Sequence, residues 1–276
     1  MKLRIAPEAS VDPLRENALV LAPHPDDETI GLGATLMRRQ SASARTVVYW
    51  MNSGVPRNDK HDGRSHRERA NARQRQAVAV SRELGFKPMG MNGATRELIR
   101  VWRDRLPEIE ASMSESVARL LFYPALQYGH PDHDLCWAIG QLMLKRNPRL
   151  VGLEYGLYGW KDGRVDFRAP TIVPSSRSVT IGLSMDEREA KSRLLQVYAT
   201  EYPRILRKCP REFEWFQAGS TPSEIPIRFE PGWVSWLDWP HPQIVHRKIK
   251  DILSDRSGRR ADWKTKSSPE DHYEST

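Results

Sequence analysis

Short apolar runs alternate with longer segments of helical periodicity along most of the chain. Short runs bounded by Pro, Gly or polar residues are typical of buried strands, and apolar positions spaced three or four apart are typical of helices. Strands that alternate with helices predict an α/β fold with a mostly parallel sheet flanked by helices. The predicted strands cover 19–22, 45–51, 119–124, 150–157 and 178–183, and the predicted helices cover 29–39, 65–84, 102–119, 135–144 and 186–198.

A histidine and three acids follow the first apolar run, in the order His24-Pro25-Asp26-Asp27-Glu28. The junction is a predicted strand-to-helix turn, the place where open α/β sheets bind their ligands. Pro23 and Pro25 fix φ on both sides of His24, so the backbone is stiff where the side chains must be aimed. A capped helix start, with Asp26 or Asp27 as the N-cap, accounts for one acid but not for His24.

A second polar loop, Tyr128-Gly129-His130-Pro131-Asp132-His133, follows the predicted strand at 119–124. If both strands lie in one parallel sheet, the two loops lie side by side at its carboxyl edge. Carboxylates gathered in a partly buried cleft need a cation to stay ionised. Two imidazoles and one carboxylate around an open position fit catalytic zinc, and the same set suits ferrous iron. The two loops therefore predict a divalent metal site.

These two motifs resemble the signature of the LmbE-like or PIG-L-like metal-dependent N-deacetylases, and a looser similarity runs from about residue 18 to about residue 201. The resemblance implies a Rossmann-like fold with the active site at the carboxyl ends of the strands. It also implies hydrolysis of the acetamide on an N-acetylated amino sugar, such as an N-acetylglucosamine-like conjugate. The expected substrate is a small-molecule or lipid-linked conjugate, and the sequence does not identify the group attached to the sugar.

The resemblance also implies roles for individual residues. His24, Asp27 and His133 are the expected metal ligands, with Zn2+ as the expected ion and Fe2+ as the alternative. Asp26 is the expected general base, which takes a proton from the attacking water. A carboxylate held beside a cation stays ionised and can accept that proton.

Four further positions carry roles that rest on the resemblance. His130 is expected to stabilise the oxyanion as an imidazolium oriented by Asp132. Tyr128 matches a tyrosine of the mycothiol-pathway branch, where it assists near the reacting carbonyl; a loop anchor is the alternative. Arg73 matches the arginine of the family's Arg-x-x-Glu and is a candidate substrate contact, with a surface arginine as the alternative. Gln76 replaces the family's Glu.

The net charge of the chain favours some classes of partner but does not choose among them. It has 43 basic and 35 acidic residues, a net charge of +8. This surplus favours an anionic partner such as a phosphorylated substrate, a membrane surface or nucleic acid, or it reflects only a solvated basic surface. No zinc-finger spacing, aromatic RNA-binding signature or helix-turn-helix pattern is present, which argues against nucleic acid. The arginines in the first turns of the predicted helix 65–84 are expected to line the rim of the cleft.

The apolar runs are too short for a transmembrane segment, and residues 1–13 lack the apolar centre of a secretory signal. We therefore expect a cytoplasmic protein. Cys136 and Cys209 do not make a disulfide framework, and neither is a candidate nucleophile. The sequence does not predict the oligomeric state.

The predicted domain organisation is a single α/β domain over 1–255. From about residue 201 it carries an extension rich in Trp and Pro that we expect to be loop-like, and 256–276 is expected to be a disordered tail. The tryptophans of the extension either anchor a loop to the core or stack on a sugar ring. They are Trp215, Trp233, Trp236 and Trp239.

Two alternatives to an N-deacetylase stay open. The chain is otherwise a basic binding protein with a structural or vestigial metal site, or a metal-dependent hydrolase of another small amide. Structural zinc sites are usually closed by four ligands and rich in Cys, whereas this ligand set is His and Asp with the extra carboxylate of Asp26 beside it. This favours catalysis.

Overall fold

The structure is a computed structural model, and it describes residues 3–6, 9–57, 63–127, 129–161, 164–166, 178–198, 209, 212–218 and 242–255. The strands are β1 Leu3–Ala6, β2 Ala9–Val11, β3 Ala18–Ala22, β4 Thr46–Trp50, β5 Lys87–Gly90, β6 Leu120–Pro124, β7 Val151–Tyr155, β8 Gly159–Lys161, β9 Arg164–Asp166, β10 Ser178–Gly182 and β11 Phe213–Ala218. The helices are α1 Asp27–Ser41, α2 His66–Leu84, α3 Leu98–Ser116, α4 Pro131–Arg146, α5 Met185–Val197 and α6 Pro242–Leu253.

A seven-stranded sheet in the order β10-β11-β7-β6-β3-β4-β5 forms the centre of the fold. The five strands from β7 to β5 are parallel, and β11 pairs antiparallel with both β7 and β10. From β3 the chain adds strands first towards β5 and then, through β6, towards β7. The strand order therefore reverses between β3 and β6, and this reversal is the topological switch point of a Rossmann-like sheet. The predicted α/β class with a mostly parallel sheet is confirmed.

Helices cover both faces of the sheet, and β3 shows why. Ala18, Val20 and Ala22 belong to the core on the side of α1, α2 and α5, whereas Leu19 and Leu21 belong to the core on the side of α3, α4 and α6. All five residues are fully buried. A strand buried on both faces is uniformly apolar rather than alternating, which is the pattern that made this run visible in the sequence.

The start of helix α3 corrects one expectation. The sequence predicts a helix over 102–119, with Pro107 in its first turn if the helix begins near Leu106, but α3 begins at Leu98 and contains Pro107 in its interior. A proline there removes one hydrogen bond and costs about 3 kcal/mol. The helix continues across it because α3 buries an apolar stripe in the core, made of Leu98, Trp102, Leu106, Ile109 and Met113.

The segment after residue 201 is not wholly loop-like, because β11 lies within it and pairs between β7 and β10. Trp215 belongs to this strand and packs against Gly156, where an added Cβ would lie 1.9 Å from its indole nitrogen. Trp215 is therefore an anchor to the core. Trp233, Trp236 and Trp239, and the tail 256–276, lie outside the described residues. Among the described helices, none is long and apolar enough to cross a membrane.

Candidate metal centre

Both sequence motifs lie at the switch point of the sheet. The first follows β3 and opens α1, and the second follows β6 and opens α4. His130 is the N-cap of α4, and its Nδ1 accepts a hydrogen bond from the backbone N–H of Asp132 at 3.2 Å. The rings of His24, His130 and His133 lie together, with potential ligand nitrogens within 4.8 Å of one another. The predicted convergence of the two loops is what the structure shows.

A tighter set of three atoms lies inside this cluster. Asp27 Oδ2 is 3.2 Å from His24 Nδ1 and 3.3 Å from His133 Nε2, and the two ring nitrogens are 3.3 Å apart. Ligand atoms about 2.0–2.1 Å from a tetrahedral zinc ion are separated by roughly 3.3–3.4 Å. The three atoms thus form one face of a tetrahedron of that size, which fits three protein ligands of one zinc ion.

The hydrogen bonds on the far sides of the rings set their tautomers. His24 Nε2 lies 3.1 Å from Asp132 Oδ2, and His133 Nδ1 lies 2.9 Å from Gln127 Oε1. Both partners accept hydrogen bonds, so these nitrogens carry hydrogens in the neutral rings. His24 Nδ1 and His133 Nε2 then present lone pairs towards Asp27 Oδ2. Two lone pairs and a carboxylate oxygen at such distances need a positive charge between them, and a divalent cation fits the donor set.

A proton satisfies part of this need when no cation is bound. Burial lowers the pKa of His24, but the hydrogen bonds to Asp132 and Asp27 outweigh it and raise that pKa to about 9. Burial and the charges of His130 and His24 hold the pKa of His133 well below its usual value. Metal binding must therefore displace a proton from His24, so metal affinity rises with pH.

The carboxylate of Asp132 contacts His24, and the backbone N–H of Asp132 is what orients His130. Its Oδ2 contacts His24 Nε2 and accepts hydrogen bonds from Thr95 Oγ1, Asn52 Nδ2 and the backbone N–H of Arg96, at 2.7–3.0 Å. It touches His130 only through its own backbone N–H. Its pKa is held far below its usual value because these hydrogen bonds and the nearby histidines outweigh its burial.

The protonation of His130 also departs from expectation. Burial, followed by the charge of His24, lowers its pKa to about 3, so a neutral ring is favoured over the expected imidazolium. Because Nδ1 accepts the hydrogen bond from Asp132, the hydrogen of the neutral ring resides on Nε2. His130 can therefore donate a hydrogen bond without carrying a charge.

Asp26 lies beside the cluster but its carboxylate points to Arg73. Arg73 Nη2 donates to Asp26 Oδ2 and to the backbone oxygen of Pro25, and Arg73 is 1% exposed. Burial raises the pKa of Asp26 to about 7, against the opposing effect of Arg73. The guanidinium of Arg73 lies inside the protein against Asp26, and its predicted contact with substrate stays a prediction.

The other arginines of α2 divide in the same way. Arg69 is buried with Arg73, whereas Arg67, Arg75 and Arg82 are exposed. The five arginines of α2 therefore do not share one surface, and the expectation that those of the first turns line the cleft stays a prediction. Tyr128 lies outside the described residues, so its predicted role stays a prediction.

Three polar residues of the site carried no motif in the sequence. Asn52 follows β4, Thr95 lies in the loop after β5, and Gln127 follows β6. All three occupy carboxyl-end loops of parallel strands, which is the one signal that pointed to them. Their roles depend on hydrogen bonds to Asp132 and His133, which a sequence does not display.

Comparison with known proteins assigns this fold and site to a class. Residues 19–143 match the family model described as PIG-L: GlcNAc-PI de-N-acetylase. This segment runs from β3 to α4 and contains both motif loops. Over this segment the chain is similar to the PIG-L, or LmbE-like, family. A search of curated proteins finds no match to the sequence.

Solved structures with this fold include a triple mutant of the deacetylase of the teicoplanin biosynthetic pathway, with a TM-score of 0.55, 13% identity, and coverage of 73% of this chain and 97% of that chain. N,N'-diacetylchitobiose deacetylase from Pyrococcus horikoshii has a TM-score of 0.51 and 19% identity, with coverage of 72% of this chain and 82% of that chain. GalB, the 4-carboxy-2-hydroxymuconate hydratase from Pseudomonas putida, has a TM-score of 0.55 and 13% identity, with coverage of 78% of this chain and 98% of that chain. At these identities the likeness establishes the fold, and the fold serves two kinds of reaction.

Proposed function

We propose that the protein is a metal-dependent N-deacetylase that removes the acetyl group from an N-acetylated amino-sugar conjugate. The observation that carries the proposal is the triangle formed by His24 Nδ1, Asp27 Oδ2 and His133 Nε2, whose sides are 3.2–3.3 Å. Three protein ligands and an open position are the arrangement of catalytic rather than structural zinc sites. The family of the segment 19–143 supports the reaction class.

His24, Asp27 and His133 would hold the cation, with Asp132 and Gln127 fixing the two rings. A divalent cation bound there would polarise the acetamide carbonyl and lower the pKa of the attacking water. We assign Asp26 as the general base, since a carboxylate with a pKa near 7 is suited to accept a proton at neutral pH.

His130 is assigned to the oxyanion. Its neutral ring carries a hydrogen on Nε2 and can donate it to the oxygen that gains negative charge as water adds to the acetamide carbon. The ring stacks on His133, with centroids 4.7 Å apart, so its orientation is restricted. The proton held by Asp26 then passes to the leaving amine, which departs as the carbon–nitrogen bond breaks and leaves acetate.

The sugar half of the proposal rests on named relatives. The family model refers to a GlcNAc conjugate, and one similar structure is a deacetylase of N,N'-diacetylchitobiose. The net charge of +8 favours an anionic conjugate. Zinc is our first choice of metal because two His and one Asp match catalytic zinc sites, and ferrous iron is the alternative.

The test is a panel of N-acetylated sugars, neutral and phosphorylated, and simple acetamides, scored for released acetate. The enzyme is stripped with a chelator and reloaded with zinc or with ferrous iron. We expect acetate only after reloading and faster release from amino sugars than from simple acetamides. Acetate released by the stripped enzyme, or none released from any substrate, would refute the proposed function. Equal rates on simple acetamides would favour the hydrolase of another small amide.

A further inference from the structure

Asp26 has a backbone conformation that its surroundings must impose. Its φ is 126°, a value that L-residues other than Gly rarely adopt. Such a conformation is strained and persists only where neighbouring contacts hold it. Asp26 is also the N-cap residue of α1, yet its side chain makes no capping hydrogen bond. The carboxylate is therefore held by something other than its own helix.

The backbone of Asp26 is held by Glu28. The backbone N–H of Asp26 donates to Glu28 Oε2 at 3.1 Å, and Trp50 Nε1 donates to the same oxygen at 2.8 Å. Glu28 Oε1 accepts from Thr29 Oγ1 at 2.7 Å and from the hydroxyl of Tyr198 at 2.9 Å. Glu28 is fully buried, so these four donors replace the water that the carboxylate has lost.

The carboxylate of Asp26 is held by Arg73. The guanidinium donates through Nη2 to Asp26 Oδ2 and to the backbone oxygen of Pro25, and through Nη1 to the backbone oxygen of Tyr198 at 2.9 Å. It also lies over the ring of Tyr198, 4.8 Å from the ring centre. One planar group thus joins the loop after β3 to the end of α5.

Tyr198 contacts both residues that hold Asp26, Glu28 and Arg73. Its hydroxyl orders Glu28, while its ring and backbone oxygen order Arg73, and the residue is fully buried. It follows α5 directly and lies well beyond the segment 19–143 that matches the family model. A residue from the later part of the chain therefore determines the surroundings of the first motif.

We propose that Arg73, Glu28 and Tyr198 form a clamp that positions the Asp26 carboxylate for proton abstraction. They are positioning residues, because they act through Asp26 and none is assigned to the metal or the substrate. This inference rests on the proposed function in one respect, that Asp26 abstracts a proton. The mechanical part, that the clamp holds the loop 24–28, can be tested without any substrate.

The first test compares Arg73→Met with Arg75→Met. Arg75 is exposed on the same helix, so its substitution removes an arginine from α2 without touching the clamp. For Arg73→Met we expect kcat to fall about 100-fold, the range of lost general-base help, with KM and bound metal within two-fold of the wild type. Arg75→Met should leave kcat unchanged. Arg73→Lys, which keeps the charge but not the planar fork, should fall between the wild type and Arg73→Met.

The second test measures amide hydrogen exchange by mass spectrometry of peptides that cover 21–28. Exchange there should be faster in Arg73→Met and in Tyr198→Phe, which loses only the hydroxyl to Glu28, and unchanged in Arg75→Met. If Arg73→Met does not fold, Arg73→Lys and Tyr198→Phe provide the same comparison.

Three outcomes would overturn the clamp. A rise in KM at constant kcat would make Arg73 a substrate contact, and a loss of metal parallel to kcat would make its role purely structural. Equal amide exchange at 21–28 in Arg73→Met and Arg75→Met would show that Arg73 does not hold the loop 24–28. A wild-type enzyme without deacetylase activity would refute the proposed function, and the exchange comparison would still decide the clamp.

Discussion

The substitution Asp132→Asn tests how the metal centre is built, because Asp132 contacts a proposed ligand without being one. Its Oδ2 faces His24 Nε2 and accepts hydrogen bonds from three other donors, of which Asn52 and Thr95 are buried. Asparagine keeps an acceptor oxygen of the same size, so the four contacts can persist. The negative charge that makes the His24 ring a better ligand is lost.

The magnitude follows from this separation of hydrogen bonding from charge. Loss of a partner that orients a metal-bound histidine typically weakens metal affinity about 10- to 100-fold, or roughly 1.4–2.7 kcal/mol. Asn still accepts from the Asn52, Thr95 and Arg96 donors, but its amide nitrogen takes the place of Oδ1, which is buried and has no hydrogen-bond partner among the described residues. We therefore expect the free energy of unfolding of the metal-free protein to fall by about 1 kcal/mol, the lower end of the cost of one buried donor without an acceptor.

The assay is zinc competition against a chelating indicator, combined with urea unfolding of the metal-free protein. Asp186→Asn is the matched control, because Asp186 holds the same second position of α5 that Asp132 holds in α4 but is exposed. Both substitutions remove one carboxylate from a helix N-terminus. Zinc affinity equal in the two variants, or a loss of affinity matched by an equal loss of stability, would refute the assigned role of Asp132.

Three further predictions test the rest of the molecule. Asp26→Asn should keep the metal and lose about 10²–10⁴-fold in rate, whereas Asp27→Asn should lose the metal. Metal analysis and acetate release measure the two effects, and the reverse pattern would mean that the two roles are exchanged. Lys191→Met should cost about 3–5 kcal/mol in urea unfolding because Glu214 is left buried and charged, with Lys248→Met near zero as the control. Gly31→Ala should cost about 1–3 kcal/mol because its Cβ would lie 2.4 Å from Tyr155 Cδ2, whereas Gly182→Ala, with no atom within 4 Å, should change the thermal midpoint little; equal shifts would contradict the packing.

The sheet and the two motif loops could be predicted from the sequence because each rests on a local pattern. Strands β3, β4 and β6 are almost wholly apolar, so they appear as apolar runs without reference to any partner. The loops that follow β3 and β6 carry histidines and aspartates at the strand ends, where a parallel sheet must gather them. Nothing beyond neighbouring residues was needed for either inference.

The direction of Arg73 could also have been found, and it was missed for an identifiable reason. Ala77, Val80 and Leu84 form the buried stripe of α2, and steps of four residues back from Ala77 reach Arg73 and then Arg69. Periodicity therefore placed both arginines on the buried face. Their charge argued for the surface, and only the structure shows the acceptors that make burial of Arg73 possible.

Strand β11 was missed because its burial depends on partners from elsewhere in the chain. Glu214 and Gln217 are both buried on this strand, so its apolar pattern is broken. Lys191 Nζ donates to Glu214 at 2.8 Å, and Gln217 Nε2 donates to Glu154 of β7. A sequence lists these residues as polar and gives no sign of the bonds that compensate their burial.

These partners make the later part of the chain a structural requirement of the first motif. Glu214 of β11 accepts from the backbone N–H groups of Ala34 and Thr35 at 2.7 and 2.9 Å, and from Lys191 of α5. The helix that begins at Asp27 is thus bound to α5 and β11 through one buried carboxylate. Tyr198, which follows α5, contacts Glu28 in the first turn of α1 and Arg73 of α2. Because α1 is fixed at both places, the orientation of Asp26 and Asp27 depends on residues that follow the family segment 19–143.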